Sequence, residues 1–193
     1  YSEFTGRLVA NGISSEKEGS LLLFNKGINM PKTVVEATGN ARLAGWDTDA
    51  SISIGGLSGT SKTILSGSSK KTKNFSCTWT IGGANTDETF DGKINNWSAG
   101  GSGYKGKTKI IKTGTGYWRL TGSNDFAGGT VVNGGNLIVN GTNSGTGNVT
   151  VNNGGMLSGK GSIAGTVKIC NGAVLQAGDV EDENYGTKLT LKG

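Results

Sequence analysis

Thr130-Val-Val-Asn-Gly-Gly-Asn-Leu137, Val149-Thr-Val-Asn-Asn-Gly-Gly-Met-Leu157 and Val167-Lys-Ile-Cys-Asn-Gly-Ala-Val-Leu175 are three versions of one unit. The Asn-Gly step falls at 133, 153 and 171, and the leucine that follows at 137, 157 and 175. That is a near-constant repeat of about 20 residues, within the range of a solenoid coil. Within each unit the apolar residues alternate. Val149 and Val151 flank Thr150, Val167 and Ile169 flank Lys168, and Leu189 and Leu191 flank Thr190. Period two puts the apolar pair on one side of a strand and the polar residue on the other.

One such unit buries three or four apolar side chains, too few to offset the entropy of ordering about 20 residues. Stacked on its neighbours it can do so, with each short strand pairing to the same strand above and below. Gly and Asn take the corners, where left-handed or tight backbone is needed. The expected fold is therefore all-β, a parallel β-helix (β-solenoid) with coils of about 20 residues, and about nine or ten of them in the chain. Asn-Gly is also the strongest hairpin signal, so a sandwich is the competing fold. The near-constant spacing and the near absence of edge-blocking proline count against it.

Composition supports this reading. Gly contributes 36 of 193 residues, and Gly, Asn, Ser and Thr together make almost half the chain. Apolar residues are 33%, thin for a deep globular core but sufficient for a narrow coil. Glycine follows no three-residue period and proline occurs once, which excludes collagen. With no histidine, Ser-His-Asp, Cys-His and His-zinc chemistry are excluded from this chain. Cys77 and Cys170 have no CxxC spacing and are expected to be buried free thiols. The longest apolar run, Leu21 to Phe24, is far short of a membrane-spanning helix, so no transmembrane segment is expected. The net charge of +5 comes wholly from residues 1–129, and its scatter does not argue for nucleic acid.

Upstream the pattern is less regular. Ser51-Ile-Ser-Ile54, Leu57 to Leu65, Thr78-Trp-Thr-Ile81, Lys109-Ile-Ile-Lys112 and Trp118-Arg-Leu120 are strand-like, and residues 1–50 carry only short pieces. We expect a single β-helix domain over 1–193, a segment of a larger secreted protein, with less regular coils in 1–50 and the clearest repeats in 108–178.

Residues 112–139 carry Lys112-Thr-Gly114, Gly116, Leu120-Thr-Gly122, Asn124, Gly128-Gly-Thr130, Val132, Gly134-Gly135 and Leu137. This set resembles the autotransporter passenger-associated β-strand repeat family. Asn152 to Leu157, Gly159 and Gly161 continue the resemblance, with Trp118, Phe126 and Ala173 as departures that alter packing. The resemblance implies a right-handed parallel β-helix in an extracellular or surface-exposed, outer-membrane-associated bacterial protein. There it serves as a stalk or folding module that carries other activities outward, and we expect this chain to be a structural or adhesive, non-catalytic segment alongside other domains of the parent chain.

Candidate chemistry is sparse. Lys105, Lys107 and Lys109 alternate along one strand and face one way, and Trp46 and Trp97 lie in loop-like sequence. Together they are the candidate carbohydrate-binding residues, for a polysaccharide or a host or cell-surface glycan, which would make the chain a carbohydrate-binding module. Lys70, Lys71 and Lys73 form a second basic cluster, while Trp79 and Trp118 sit inside strand patterns and are expected in the core. Asp179, Glu181, Asp182 and Glu183 follow the last clear coil and are the candidate metal ligands, of a kind that suits calcium. They match no EF-hand or calcium β-roll spacing, so the expectation is a solvated loop and no cofactor. A polysaccharide lyase or hydrolase would need carboxylates and a Lys or Arg base on one face, from among Asp47, Asp49, Asp87, Glu88 and Asp91.

Overall fold

The computed structural model describes residues 4–12, 21–46, 49–68, 74–96, 105–179 and 187–193. Among them all regular elements are β-strands, and every pairing between strands is parallel. The strands repeat in the order first face, second face, third face, so the chain winds as a parallel β-helix.

The register follows the sequence repeat. On the first face Ile110 pairs with Thr130, Thr130 with Val149 and Val149 with Val167. On the second face Trp118 pairs with Leu137, Leu137 with Leu157 and Leu157 with Leu175. On the third face Ser123 pairs with Thr142, Thr142 with Ser162 and Ser162 with Thr190. Early strands differ. Asn29–Gly39 and Ala50–Gly59 run unbroken through two faces: Ala50–Ile54 pair with Cys77–Ile81, whereas Gly59 pairs with Phe90. In later coils a Gly-rich corner divides these two portions into separate strands.

Among the described residues eight strands stack on the second face, fewer than the nine or ten coils expected. At about 4.8 Å per step, eight levels span roughly 34 Å. The reason lies in coil length. Ser51 pairs with Thr78 and Thr78 with Lys109, so each of these turns uses more chain than the later repeat does. The excess is a long connection that enters the corner before the first face. The shorter, regular coils begin only at Ile110, which pairs with Thr130.

The core is a set of ladders. Ile54, Ile81, Lys112, Val132, Val151 and Ile169 are in one register file. Ile52, Trp79, Ile110, Thr130, Val149 and Val167 form the next. All but Val167 and Ile169, in the last coil, are buried. Trp79 and Trp118 are fully enclosed, with indole N–H groups donating to the Ser66 and Leu57 carbonyls at 3.1 and 2.8 Å. Both tryptophans are therefore core residues, as their strand pattern implied. Cys77 is buried, its thiol pushed up to about 12 by desolvation, whereas Cys170 is only half-buried. The two thiols are free, and that part of the expectation holds. Among the described residues no helix is long and apolar enough to cross a membrane.

Candidate functional site

On the outer side of the first face, strand Lys105–Lys112 alternates as its sequence required. Thr108 and Ile110 are buried, Lys107 is exposed and Lys109 half-buried. Thr78 lies between Ser51 and Lys109 in register, and Ser76 lies beside Lys107. The side chain of Lys105 is outside the described residues, although its backbone pairs with Asn74. The side chains of Ser51, Ser53, Thr78, Thr80, Lys107 and Lys109 have no hydrogen-bond or ion-pair partner among the described residues.

Trp46 is 48% exposed just after strand Arg42–Gly45, its backbone N–H donating to the Phe24 carbonyl at 2.7 Å. It stands at the corner that leads from the third face to the first. The connection between Lys93–Ile94 and Lys105–Lys112 turns the same corner two coils later. Trp97 belongs to that connection and lies outside the described residues, as do Lys70, Lys71 and Lys73.

The acidic stretch is divided. Asp179 is fully buried, which corrects its place in a solvated loop. Arg119 Nε and Nη2 donate to its two carboxylate oxygens at 2.8 and 3.2 Å, and Asn140 Nδ2 adds a third hydrogen bond. Just before it, Gly178 makes an antiparallel bridge with Gly159. The chain leaving Val174–Leu175 thus doubles back across the outside of three earlier coils, meeting Gly159, Asn140 and Arg119 in turn. Arg119 also lies over the Tyr117 ring, 4.9 Å from its centroid. Glu181, Asp182 and Glu183 lie outside the described residues.

Most of the other described carboxylates join coil to coil, while Asp49 is exposed ahead of strand Ala50–Gly59. Asp87 accepts the Tyr117 backbone N–H at 2.8 Å, and Asp91 accepts the Thr121 hydroxyl at 2.6 Å. Glu88, 6% exposed, receives Arg7 at 3.3 Å, and Arg7 also reaches Glu36 at 3.4 Å. Among the described residues no cluster of three or more Asp, Glu, Cys or His could hold a metal ion. Asp47 is outside the described residues.

Lys112 carries a role that its sequence context did not announce. Its side chain enters the core file between Ile81 and Val132 and is 1% exposed. The ammonium donates to the Thr113 and Gly134 carbonyls at 2.6 and 3.2 Å. Burial lowers its pKa from 10.5 to about 8, against a pull upward from the Asp87 charge. Aligning Lys112-Thr-Gly114 with Val132-Asn-Gly134 places this lysine in an apolar slot, which is the signal that could have found it. Arg119 and Asp179 carry no comparable signal, being 60 residues apart.

Residues 110–139 match the family model described as Passenger-associated-transport-repeat. The stretch runs from the end of strand Lys105–Lys112 through strand Gly135–Val139, and the sequence resemblance is thereby supported over its central part. A 74-residue stretch is 40% identical to a protein of Brucella suis biovar 1 (strain 1330) described as "Adhesin BmaC autotransporter". The alignment takes in 38% of this chain and 2% of that much longer protein.

Proposed function

We propose that this chain is a non-catalytic, adhesive scaffold segment of a bacterial protein displayed at, or released from, the cell surface. The observation that carries the reading is the unbroken parallel stack through residues 110–139, the region with the passenger repeat. A coil fold of this kind performs its task by geometry. Each turn adds about 4.8 Å of length and presents three outer faces, while continuous interstrand hydrogen bonds hold the rod.

The carboxylates support a structural assignment. Asp87, Asp91 and Asp179 are engaged with the backbone or side chains of other coils, and Glu88 is held by Arg7. A general acid needs a carboxyl poised in a cleft with a substrate-facing lone pair. These groups instead accept hydrogen bonds from their own fold.

A second reading, a carbohydrate-binding module, draws on exposed Trp46 and on Lys107 and Lys109, which have no ion-pair partner among the described residues. Trp97, Lys105 and the acidic residues Glu181, Asp182 and Glu183 remain part of the proposal as further contacts or as calcium ligands. The test incubates the chain with neutral and acidic polysaccharides, with and without calcium, and scores retention and new chain ends together. Retention without cleavage is the expected result. New chain ends from any substrate, abolished by removing a carboxylate, would overturn the scaffold assignment.

A further inference from the structure

Charge and hydrogen bonding are used differently on two faces of the rod. On the second face the outward charges are engaged by the protein itself. Arg7 is shared among Glu36, Ser58 and Glu88, and Arg119 is closed by Asp179. On the first face the outward positions of three successive strands are Ser51 and Ser53, then Ser76, Thr78 and Thr80, then Lys107, Lys109 and Ile111. The file that begins Ser53–Thr80 ends, across Ile111 and Val131, at Thr150 and exposed Lys168. Among the described residues no Asp or Glu occupies an outward strand position of this face.

Parallel pairing makes the array regular. Files lie about 4.8 Å apart from strand to strand, and alternate residues of one strand lie about 6.6 Å apart. The hydroxyl oxygens and the ammonium groups of Lys107 and Lys109 therefore form an array whose spacing is comparable with one pyranose unit, and Lys168 lies three coils further on beyond Ile111, Val131 and Thr150. Each hydroxyl can donate and accept, which suits a ligand that is itself dense in hydroxyl groups. The ammonium groups call for negative charge on that ligand. Among the described residues no acidic side chain occupies an outward position on the strands of this face, and exposed Asp49 lies just ahead of strand Ala50–Gly59, so an anion lying along the strands meets attraction there.

Resting on the surface-scaffold reading above, we infer that the outer side of the first face is a binding surface for an anionic, uronate-bearing polysaccharide, with Lys107 and Lys109 meeting its carboxylates and the Ser51–Thr78 and Ser53–Thr80 files meeting its hydroxyls. Among the described residues the three outward lysines Lys107, Lys109 and Lys168 are too few to neutralise a nucleic-acid backbone, and the described face carries no aromatic platform for bases. Trp46, at the corner ahead of this face, offers a ring for an apolar sugar face at the ligand's margin.

The test immobilises the whole chain and measures retention of polygalacturonate, alginate and hyaluronan, with neutral dextran and duplex DNA as comparisons, at low and high salt. The uronate polymers should bind at low salt and weaken about tenfold or more at high salt, while dextran stays unbound. Lys107→Glu with Lys109→Glu should lower uronate binding about tenfold or more, since attraction becomes repulsion on the face itself. Lys188→Glu with Lys192→Glu makes the same change in net charge on exposed residues elsewhere and should leave binding within about twofold. Thr78→Val with Thr80→Val keeps the charge and should still weaken binding several-fold. All four changed side chains on the face point outward, so the circular-dichroism spectrum and melting temperature report whether the coil is intact. Equal loss in both charge variants, tight binding of DNA, or no binding of any uronate polymer would each overturn this inference. None of those outcomes produces new chain ends, so the non-catalytic scaffold reading fails or stands separately.

Discussion

Lys112 stands in an environment foreign to its type, 1% exposed in an apolar file. It occupies a slot held by Ile81 below and Val132 above, and its ammonium is met by two carbonyls with no carboxylate in hydrogen-bond contact. Unfolded, the lysine keeps its proton to about 10.5; folded, it gives it up at about 8. Between those values the unfolded chain holds more protons, so stability rises with pH. Below 8 both states are protonated and the penalty for burying the charge is present in full. Equilibrium urea unfolding from pH 7 to 10 should show wild type gaining at most about 3 kcal/mol relative to Lys112→Met, while the buried Cys77 thiol, raised from 9.0 to about 12, lowers stability above pH 9 in both proteins alike. A wild-type profile parallel to that of the variant would remove the assignment. The slot itself was readable, since alternation fixes which side of the strand position 112 faces. That a cation would fill it depended on the corner carbonyls, which no local pattern encodes.

At the level of a strand, facing decides the cost of a substitution. Val151 is fully buried in its file and Thr150 faces out. Val151→Asp should leave the protein largely unfolded, and Thr150→Asp should change stability by less than about 1 kcal/mol, as read by thermal melting. The corners give a second contrast. Gly114 and Gly154 both have left-handed backbone, with φ of 71° and 80°. A Cβ at Gly114 would lie 1.9 Å from the Gly82 carbonyl oxygen, whereas at Gly154 nothing lies within 4 Å. Gly154→Ala should therefore cost about 1 kcal/mol from backbone strain alone. Gly114→Ala should cost about 3 kcal/mol or more, because the coils must also move apart. The Gly154 corner was legible as an Asn-Gly-Gly step, whereas Gly114 stands between two threonines and shows itself only by alignment with the later Asn-Gly corners. Arg119 with Asp179 was not legible, because the acidic run looks like any solvated loop until the return segment is seen. Asp179→Asn should cost about 3 kcal/mol, and Arg119→Met added to it should recover part of the loss, since the uncompensated cation is then gone. Amide exchange across 155–178 would register both.

Over the whole molecule, stability is a sum of coils and of the interfaces between them. Interior coils have two neighbours; among the described residues the coil of Val167–Ile169 and Val174–Leu175 has one. Ile169, Leu175 and Leu191 are accordingly 37–43% exposed, although they extend files that are buried one coil earlier. Amide exchange should be slowest near strands Thr130–Val132 and Gly135–Val139 and faster toward Thr190–Leu191. Uniform protection along the rod would mean that it opens only as one unit. The repeat unit and its inward positions were legible because period two and a near-constant coil spacing reinforce each other from Ile110 onward. The number of coils was not, because an insertion at a corner lengthens one turn without disturbing the strands on either side.

The return segment ending at Asp179 has a mechanical consequence. A stack of parallel turns pulled from its terminal end would peel like a zipper, breaking the few hydrogen bonds of one turn before loading the next. Here the last turn is fastened by Gly178 to its immediate neighbour and by Asp179 to Asn140 and Arg119 two and three turns further in. Tension applied there reaches four turns at once, so they rupture together and at a higher force than any one of them would bear alone.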